Sequence, residues 1–355
     1  MGGAVYITSG MLPTGHAATS CHVPASATCH DPWVTRRNPC AATRDRATAR
    51  AAGLLAGVAA DALLGDPQRG HPVARFGSVA RALEGRMYAP RRVSGSQFAA
   101  AAISLATGPV AATTRMTRGR PAADAALTTA ATWAVLGARS LTREADRIRR
   151  ALDSGDLAEA RLLLPRLCGR DPAGLGEADI ARAVVESIAE NSSDAIVAPL
   201  VWGALAGPSG LVAYRAVNTL DAMVGHHSPR YEEFGWASAR LDDVANWLPA
   251  RLTAVLAAAC SPVVGGRPDT TLQVAREYGR RHPSPNAGWC EAAFAGALGV
   301  RLGGSLSYSG RSEHRAELGT GTQPVPADIA RAAVLCRAVT AAAATLAAAA
   351  ASRLG

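Results

Sequence analysis

The chain contains no lysine; all 37 of its basic residues are arginine. That excludes chemistry through a lysine Schiff base or a phosphate-loop lysine. Aromatic residues make up only 5% of the 355, and runs of β-branched residues are scarce, which argues against a sheet-built fold. The seven cysteines include no CxxC pair, so neither a disulfide framework nor a zinc ribbon is supported, and a reducing compartment is the default. The first residues lack the apolar core of a secretory signal. The net charge of +9 comes from scattered arginines without a reader motif, which excludes nucleic acid as a partner.

What the chain has in abundance is alanine, the best helix former, within a 48% apolar composition. Residues 1–48 are rich in Thr, Pro, His and Cys, with no apolar period, and read as a disordered extension; Cys21-His22 and Cys29-His30 match no zinc spacing. Apolar segments follow at 51–64, 98–112, 122–138, 195–214, 252–264 and 332–351. Spanning a bilayer takes about 20 apolar residues, and only 195–214 and 332–351 approach that cleanly. Polar helices are expected at 142–152, 156–167, 178–191 and 270–280, and residues 303–327, rich in Gly, Pro and Ser, read as irregular. The expected fold over 49–355 is all-α, with polar helices and loops carrying the site; hydropathy alone fits a multi-pass membrane domain and a soluble alanine-rich bundle equally well.

The stretch 185–256 sets many ionisable groups beside apolar helix surface. Burying a charge without a partner is costly, so such groups are normally paired, metal-bound or catalytic. In ESIAENSSD, Glu186, Glu190 and Asp194 recur at i, i+4 and i+8 on one helical face, where like charges repel unless a cation relieves them. Asn218 and Asp221 continue such a face in YRAVNTLDAMVGHHSPRY. His226 and His227 follow, then Arg230 and Tyr231 as an anion-contacting loop. In SARLDDVANWLPARL, Ser238 is a candidate cap, and Arg240, Asp242, Asp243, Asn246 and Arg251 follow. DALLGDPQRGHPV supplies Asp61, Asp66 and His71 beside an apolar segment. In SPNAGWCEAAFAGALGVRLGG, Ser284, Asn286 and Glu291 surround a helix start whose free N–H groups suit an anion.

Taken together and in order, these blocks resemble the CobD/CbiB family, the adenosylcobinamide-phosphate synthases of cobalamin biosynthesis, over roughly residues 52–320. The resemblance implies a multi-pass protein of the cell membrane with its site facing the cytoplasm. It also implies an amide ligase that uses ATP and Mg²⁺. Its substrates would be adenosylcobyric acid and (R)-1-amino-2-propanol or its O-phosphate, and its further partner membrane lipid. The matched blocks locate the site; the roles within it rest on residue chemistry. Glu186, Glu190, Asp194 and His71 are expected to be catalytic, with His71 as base for the amine. Arg215, Asn218, Asp221, Arg230, Arg240, Asn246, Ser284 and Asn286 are expected to hold the nucleotide, and Asp66, Asp242 and Asp243 the metal. Two departures stand out: Arg215 occupies a position where the family often has Lys, and Ser192 one where Thr is common. Two other classes compete. A transporter predicts an internal repeat, which the sequence does not show. A soluble helical metal-dependent phosphohydrolase predicts histidines on helices, whereas here they lie mostly in loops.

Overall fold

The computed structural model describes residues 39–66, 70–169, 171–308 and 311–354. Among the described residues there are twelve α-helices and one hairpin. The helices are α1 (Pro39–Leu64), α2 (Pro72–Met87), α3 (Arg92–Met116), α4 (Pro121–Val135), α5 (Ala138–Asp153) and α6 (Leu157–Leu163). After them come α7 (Glu177–Ser192), α8 (Ala198–Leu220), α9 (Trp236–Cys260), α10 (Pro268–Tyr278), α11 (Ala287–Leu298) and α12 (Pro326–Leu354). The expected 1–48 extension overlaps α1, which begins at Pro39. Residues 1–38, with their Cys-His pairs, lie outside the described residues.

Among the described residues, four segments are long and apolar enough to cross a membrane: 44–64, 177–225, 236–264 and 326–354. The architecture is that of an all-α, multi-pass membrane protein. The sequence marked only two of these segments cleanly, because Asp61 interrupts the run at 51–64 and the run at 252–264, preceded by Arg251, is short. On α9, exposed Leu241, Val244, Leu248 and Val255 recur at helical spacing, forming an apolar stripe of the kind that faces lipid.

The segment 177–225 is not one rod. Gly207 adopts φ 64° and ψ −152°, a region essentially open only to glycine, and Pro208 follows it. A Cβ on Gly210 would lie 2.2 Å from the Trp202 carbonyl oxygen, although residues eight apart in a straight helix are separated by about 12 Å. The chain therefore folds back at Gly207 into a tight helical hairpin. Arg50 closes its tip, with Nη1 donating to the Ala204 carbonyl at 3.3 Å. Each arm contains one π-helical turn, Ser193–Val197 and Asp221–Gly225, and each turn carries a candidate acid. Such turns concentrate at functional sites because the extra residue re-aims side chains.

Around this hairpin, α1 packs against α4 and α12, and α8 against α3 and α4. Helix α12 also reaches α5 and α7, whose partners include α6 and the apolar, largely buried α11. Helix α5 carries its apolar residues Leu141, Ala145, Ile148 and Leu152 inward on one face, with Arg143, Arg147, Arg149 and Arg150 among the rest. Residues 303–327 were read as irregular, but they contain most of an antiparallel hairpin, β1 (Leu302–Tyr308) with β2 (Arg311–Leu318). Gly303 and Gly304, at φ 78° and 83°, create the bulge at its base. Ser238 is not a cap, because α9 already starts at Trp236 and buries it.

Candidate active site

The hairpin fold at Gly207 sets Asp194 of one arm beside Asn218 of the other, and α9 crosses both. Asn218 Nδ2 donates to Asp194 Oδ2 at 3.5 Å and to Asp242 Oδ1 at 3.4 Å. Its Oδ1 accepts from Arg215 Nη1 at 3.4 Å. Asn246 Nδ2 donates to the other Asp242 oxygen at 2.9 Å, while its own Oδ1 accepts from the buried Tyr214 hydroxyl at 2.8 Å. The network orients two carboxylates from three chain segments with neutral amides and one arginine. Neutral donors fix a carboxylate without cancelling its charge, so its capacity to bind a cation persists.

Asp194, Asp242 and Asn246 form part of one wall of a cavity of about 930 Å³, whereas Asn218, Arg215 and Tyr214 stand behind them and are not among its lining residues. Glu190, Asp194, Asp221, Asp242 and Asp243 all face it. They act on one another electrostatically, Asp194 with Asp242 and Glu190, and Asp221 with Asp242 and Asp243. Gly225 is needed here, because a Cβ at that position would lie 1.9 Å from Asp221 Oδ1. Arg240 lies 3.5 Å from Asp243 Oδ2.

A second wall comes from the loop before α11. Ser284 Oγ accepts the backbone N–H groups of Asn286 and Ala287 at 3.3 and 3.2 Å, shaping the helix start. Asn286 Nδ2 donates to the Asp243 carbonyl at 2.8 Å, and Arg251 Nη1 donates to Asn286 Oδ1 at 2.9 Å. Arg251 also stacks over Trp247 and Trp289. It thus clamps the loop to α9 rather than facing the cavity. Cys290 lines this wall, where burial pushes its thiol well above the ordinary range.

Several expected site residues lie elsewhere. Glu186 shares a helix face with Glu190 in sequence, but it is buried beneath β1, where its Oε1 accepts the Gly303 N–H at 2.7 Å. Arg230 pairs with Glu84 at 3.0 Å and lies over Tyr88 and Tyr231, so the anion it contacts belongs to α2. His71 caps α2, its Nδ1 accepting the Val73 N–H at 3.2 Å, and its Nε2 lies 3.8 Å from Asp66. Neither Asp66 nor His71 lines the cavity with Asp242 and Asp243. Their turn is fastened from α4 and α5: Trp133 Nε1 donates to the Gly65 carbonyl and the Arg139 backbone N–H to Asp61 Oδ2. The structure adds Arg315 and His282 to the cavity wall. His282 had a visible signal, its place two residues before Ser284. Arg315 had none, because only the unforeseen hairpin brings it there.

The family described as "CobD/Cbib protein" matches residues 54–336. A Mycobacterium tuberculosis protein named "Cobalamin biosynthesis protein CobD" is 51% identical over 298 residues, covering 84% of this chain and 95% of that relative. Proteins of the same name from Geobacter metallireducens and Rhodobacter capsulatus are 41% and 48% identical, covering 79% and 58% of this chain and 90% and 64% of those relatives. No solved structure matches. Every block that builds the cavity falls inside the matched span, and the chain belongs to the CobD/CbiB family.

Proposed function

We propose that this protein acts in cobalamin biosynthesis as an ATP-dependent amide synthase of the cell membrane. It joins a propionate carboxylate of adenosylcobyric acid to (R)-1-amino-2-propanol or its O-phosphate. The observation that carries the reading is the convergence of five carboxylates from α7, both π-helical turns and α9 on one large cavity.

A carboxylate accepts an amine only once it has a leaving group. In the proposed route the γ-phosphoryl group of ATP passes to the propionate oxygen, giving an acyl phosphate and ADP. The amine nitrogen then attacks the acyl carbon, the C–O bond to phosphate breaks, and the amine proton passes to a carboxylate. The donor set suits Mg²⁺: Asp194 and Asp242 offer hard oxygens held by Asn218. Among the described residues no three His, Cys, Asp or Glu side chains close around one point, which leaves positions for substrate phosphate and water. When bound, Mg²⁺ neutralises charge on the transferring phosphoryl group. Glu190 and Asp221, which also line the cavity, would attract the substrate ammonium and take the proton it loses to become the attacking amine; the second proton, lost as the amide forms, passes to a carboxylate or leaves with phosphate.

The arginine-rich face of α5 supports a cytoplasmic orientation. Arg139, at the start of α5, donates to the Ala62 and Leu63 carbonyls at the end of the first spanning segment, so the basic segment emerges beside that end. Basic residues flanking spans favour the cytoplasm, which is where ATP is available.

The test uses the full chain purified in detergent with adenosylcobyric acid, the amine, ATP and Mg²⁺. Stoichiometric corrinoid amide and ADP are expected. A corrinoid product formed equally well without ATP, or none at all, contradicts the proposal.

A further inference from the structure

We infer that Tyr214 and Arg215, neither of which lines the cavity, are positioning residues that set the cation affinity of its acid wall, each acting through one asparagine. The inference rests on the proposed function only for the divalent cation at Asp194 and Asp242.

The two are consecutive on the second arm of the helical hairpin, so their side chains leave the helix about 100° apart and find partners in different directions. Tyr214 is buried and donates its hydroxyl to Asn246 Oδ1 on α9 at 2.8 Å. Arg215 donates from Nη1 to Asn218 Oδ1, one turn along its own helix, at 3.4 Å. Each asparagine passes a bond on. Asn246 Nδ2 donates to Asp242 Oδ2 at 2.9 Å. Asn218 Nδ2 donates to Asp242 Oδ1 at 3.4 Å and to Asp194 Oδ2 at 3.5 Å. Both oxygens of Asp242 are therefore held from behind, and each holder is itself held by a neighbour on the same arm.

The direction of these bonds is fixed. An ionised carboxylate only accepts, so the NH₂ end of each amide faces it and the carbonyl end faces away. Those carbonyls need donors, and Asn246 is buried from water. Tyr214 supplies one donor and Arg215 the other. Arg215 was expected to hold the nucleotide. Instead its Nε is buried without a hydrogen-bond partner, and the residue lines a small apolar niche with Pro72, Val73, Phe76, Val135 and Val212. Removing the Tyr214 hydroxyl strands the Asn246 carbonyl, and nothing then keeps the amide in register with Asp242. Each carboxylate oxygen has further lone pairs for a cation, so the network orients the acids without using them up. Groups that hold metal ligands in this way change metal affinity or activity by about 10–100-fold when they are lost.

Titration of the full chain in detergent with Mn²⁺ alone tests this without turnover, with the free ion read by electron paramagnetic resonance. Wild type is expected to show a saturable Mn²⁺ site that Asp242→Asn loses. Tyr214→Phe, which removes one hydroxyl, should weaken that site by about tenfold or more, and excess Mg²⁺ should restore its rate of amide formation. Arg215→Met should weaken it less, its bond being the longer, and Arg215→Lys, which keeps a donor, should retain most of the affinity. In an Asn246→Leu background Tyr214→Phe should change nothing further, because Tyr214 acts only through that amide. Thermal melting and monodispersity report folding, and where Tyr214→Phe does not fold the two Arg215 variants decide. Folded Tyr214→Phe and Arg215→Met that bind Mn²⁺ within about twofold of wild type overturn the inference. So does a wild type without a Mn²⁺ site, or a Tyr214→Phe effect undiminished by Asn246→Leu. Mn²⁺ binding that depends on Tyr214, in a protein that forms no amide, overturns the synthase reading and leaves the inference standing.

Discussion

Two parts of this molecule send the same message from sequence. The turn after α1 and the folded segment 185–256 both place acids, a histidine or amides, and prolines beside apolar helices. In the structure they separate. At the first, Asp61 accepts the Arg139 N–H, His71 caps α2, and Trp133 and Arg139 take up the carbonyls that end α1. At the second, Asp194 and Asp242 are oriented by neutral amides and face an open volume. What distinguishes a fastening from a site is where the polar groups find their partners. Backbone groups and helix ends hold one side of Asp61 and His71 at the first, while Asp61 Oδ1, Asp66 Oδ1 and His71 Nε2 are buried without a hydrogen-bond partner. The second is oriented by side chains and completed only by something that enters.

Substitutions sharpen this comparison. The largest effect is expected at Asp194→Asn, which keeps shape and an acceptor for Asn218, and at Asp242→Asn, which keeps shape but only one of the two accepted amide bonds; both remove the acid. Turnover should fall by about a hundredfold or more while thermal stability stays near wild type, read by amide formation and thermal melting. Next comes Glu186→Ala, which releases the Gly303 N–H and loosens the base of the hairpin that carries Arg315. Turnover should drop by about tenfold, with Glu186→Gln, which keeps an acceptor, retaining most of it. At the turn after α1, Asp61→Ala should act on stability instead, costing about 1–3 kcal/mol because the Arg139 N–H loses a buried acceptor. The smallest effect is His71→Ala, which removes a helix cap worth about 1 kcal/mol and should leave turnover per folded molecule unchanged.

Much of this was legible in the sequence, for reasons that can be named. Alanine content and helical periodicity gave the all-α architecture. The acids at 190–194, 218–221 and 242–246 were legible as one site, because charge beside apolar surface demands an explanation. Three features were not. The fold-back at Gly207 was hidden because a glycine–proline pair inside an apolar run also suits a merely kinked helix, and only the Gly210–Trp202 approach reveals a reversal. Glu186 fell on the same helical face as Glu190, yet a helix face does not say whether solvent, cavity or another backbone lies opposite. The β1–β2 hairpin was masked by its glycines, which read as loop but serve to bend its base and admit Arg315 to the cavity.

The central claim is that the carboxylate-lined cavity, and not the histidine-bearing turn after α1, performs the chemistry. A single assay addresses it: the initial rate of ATP-dependent corrinoid amide formation by wild type, Asp242→Asn and His71→Ala, each normalised to folded protein. The account predicts loss of product from Asp242→Asn and wild-type rates from His71→Ala. Product from Asp242→Asn at wild-type rates, with activity lost in folded His71→Ala, contradicts it.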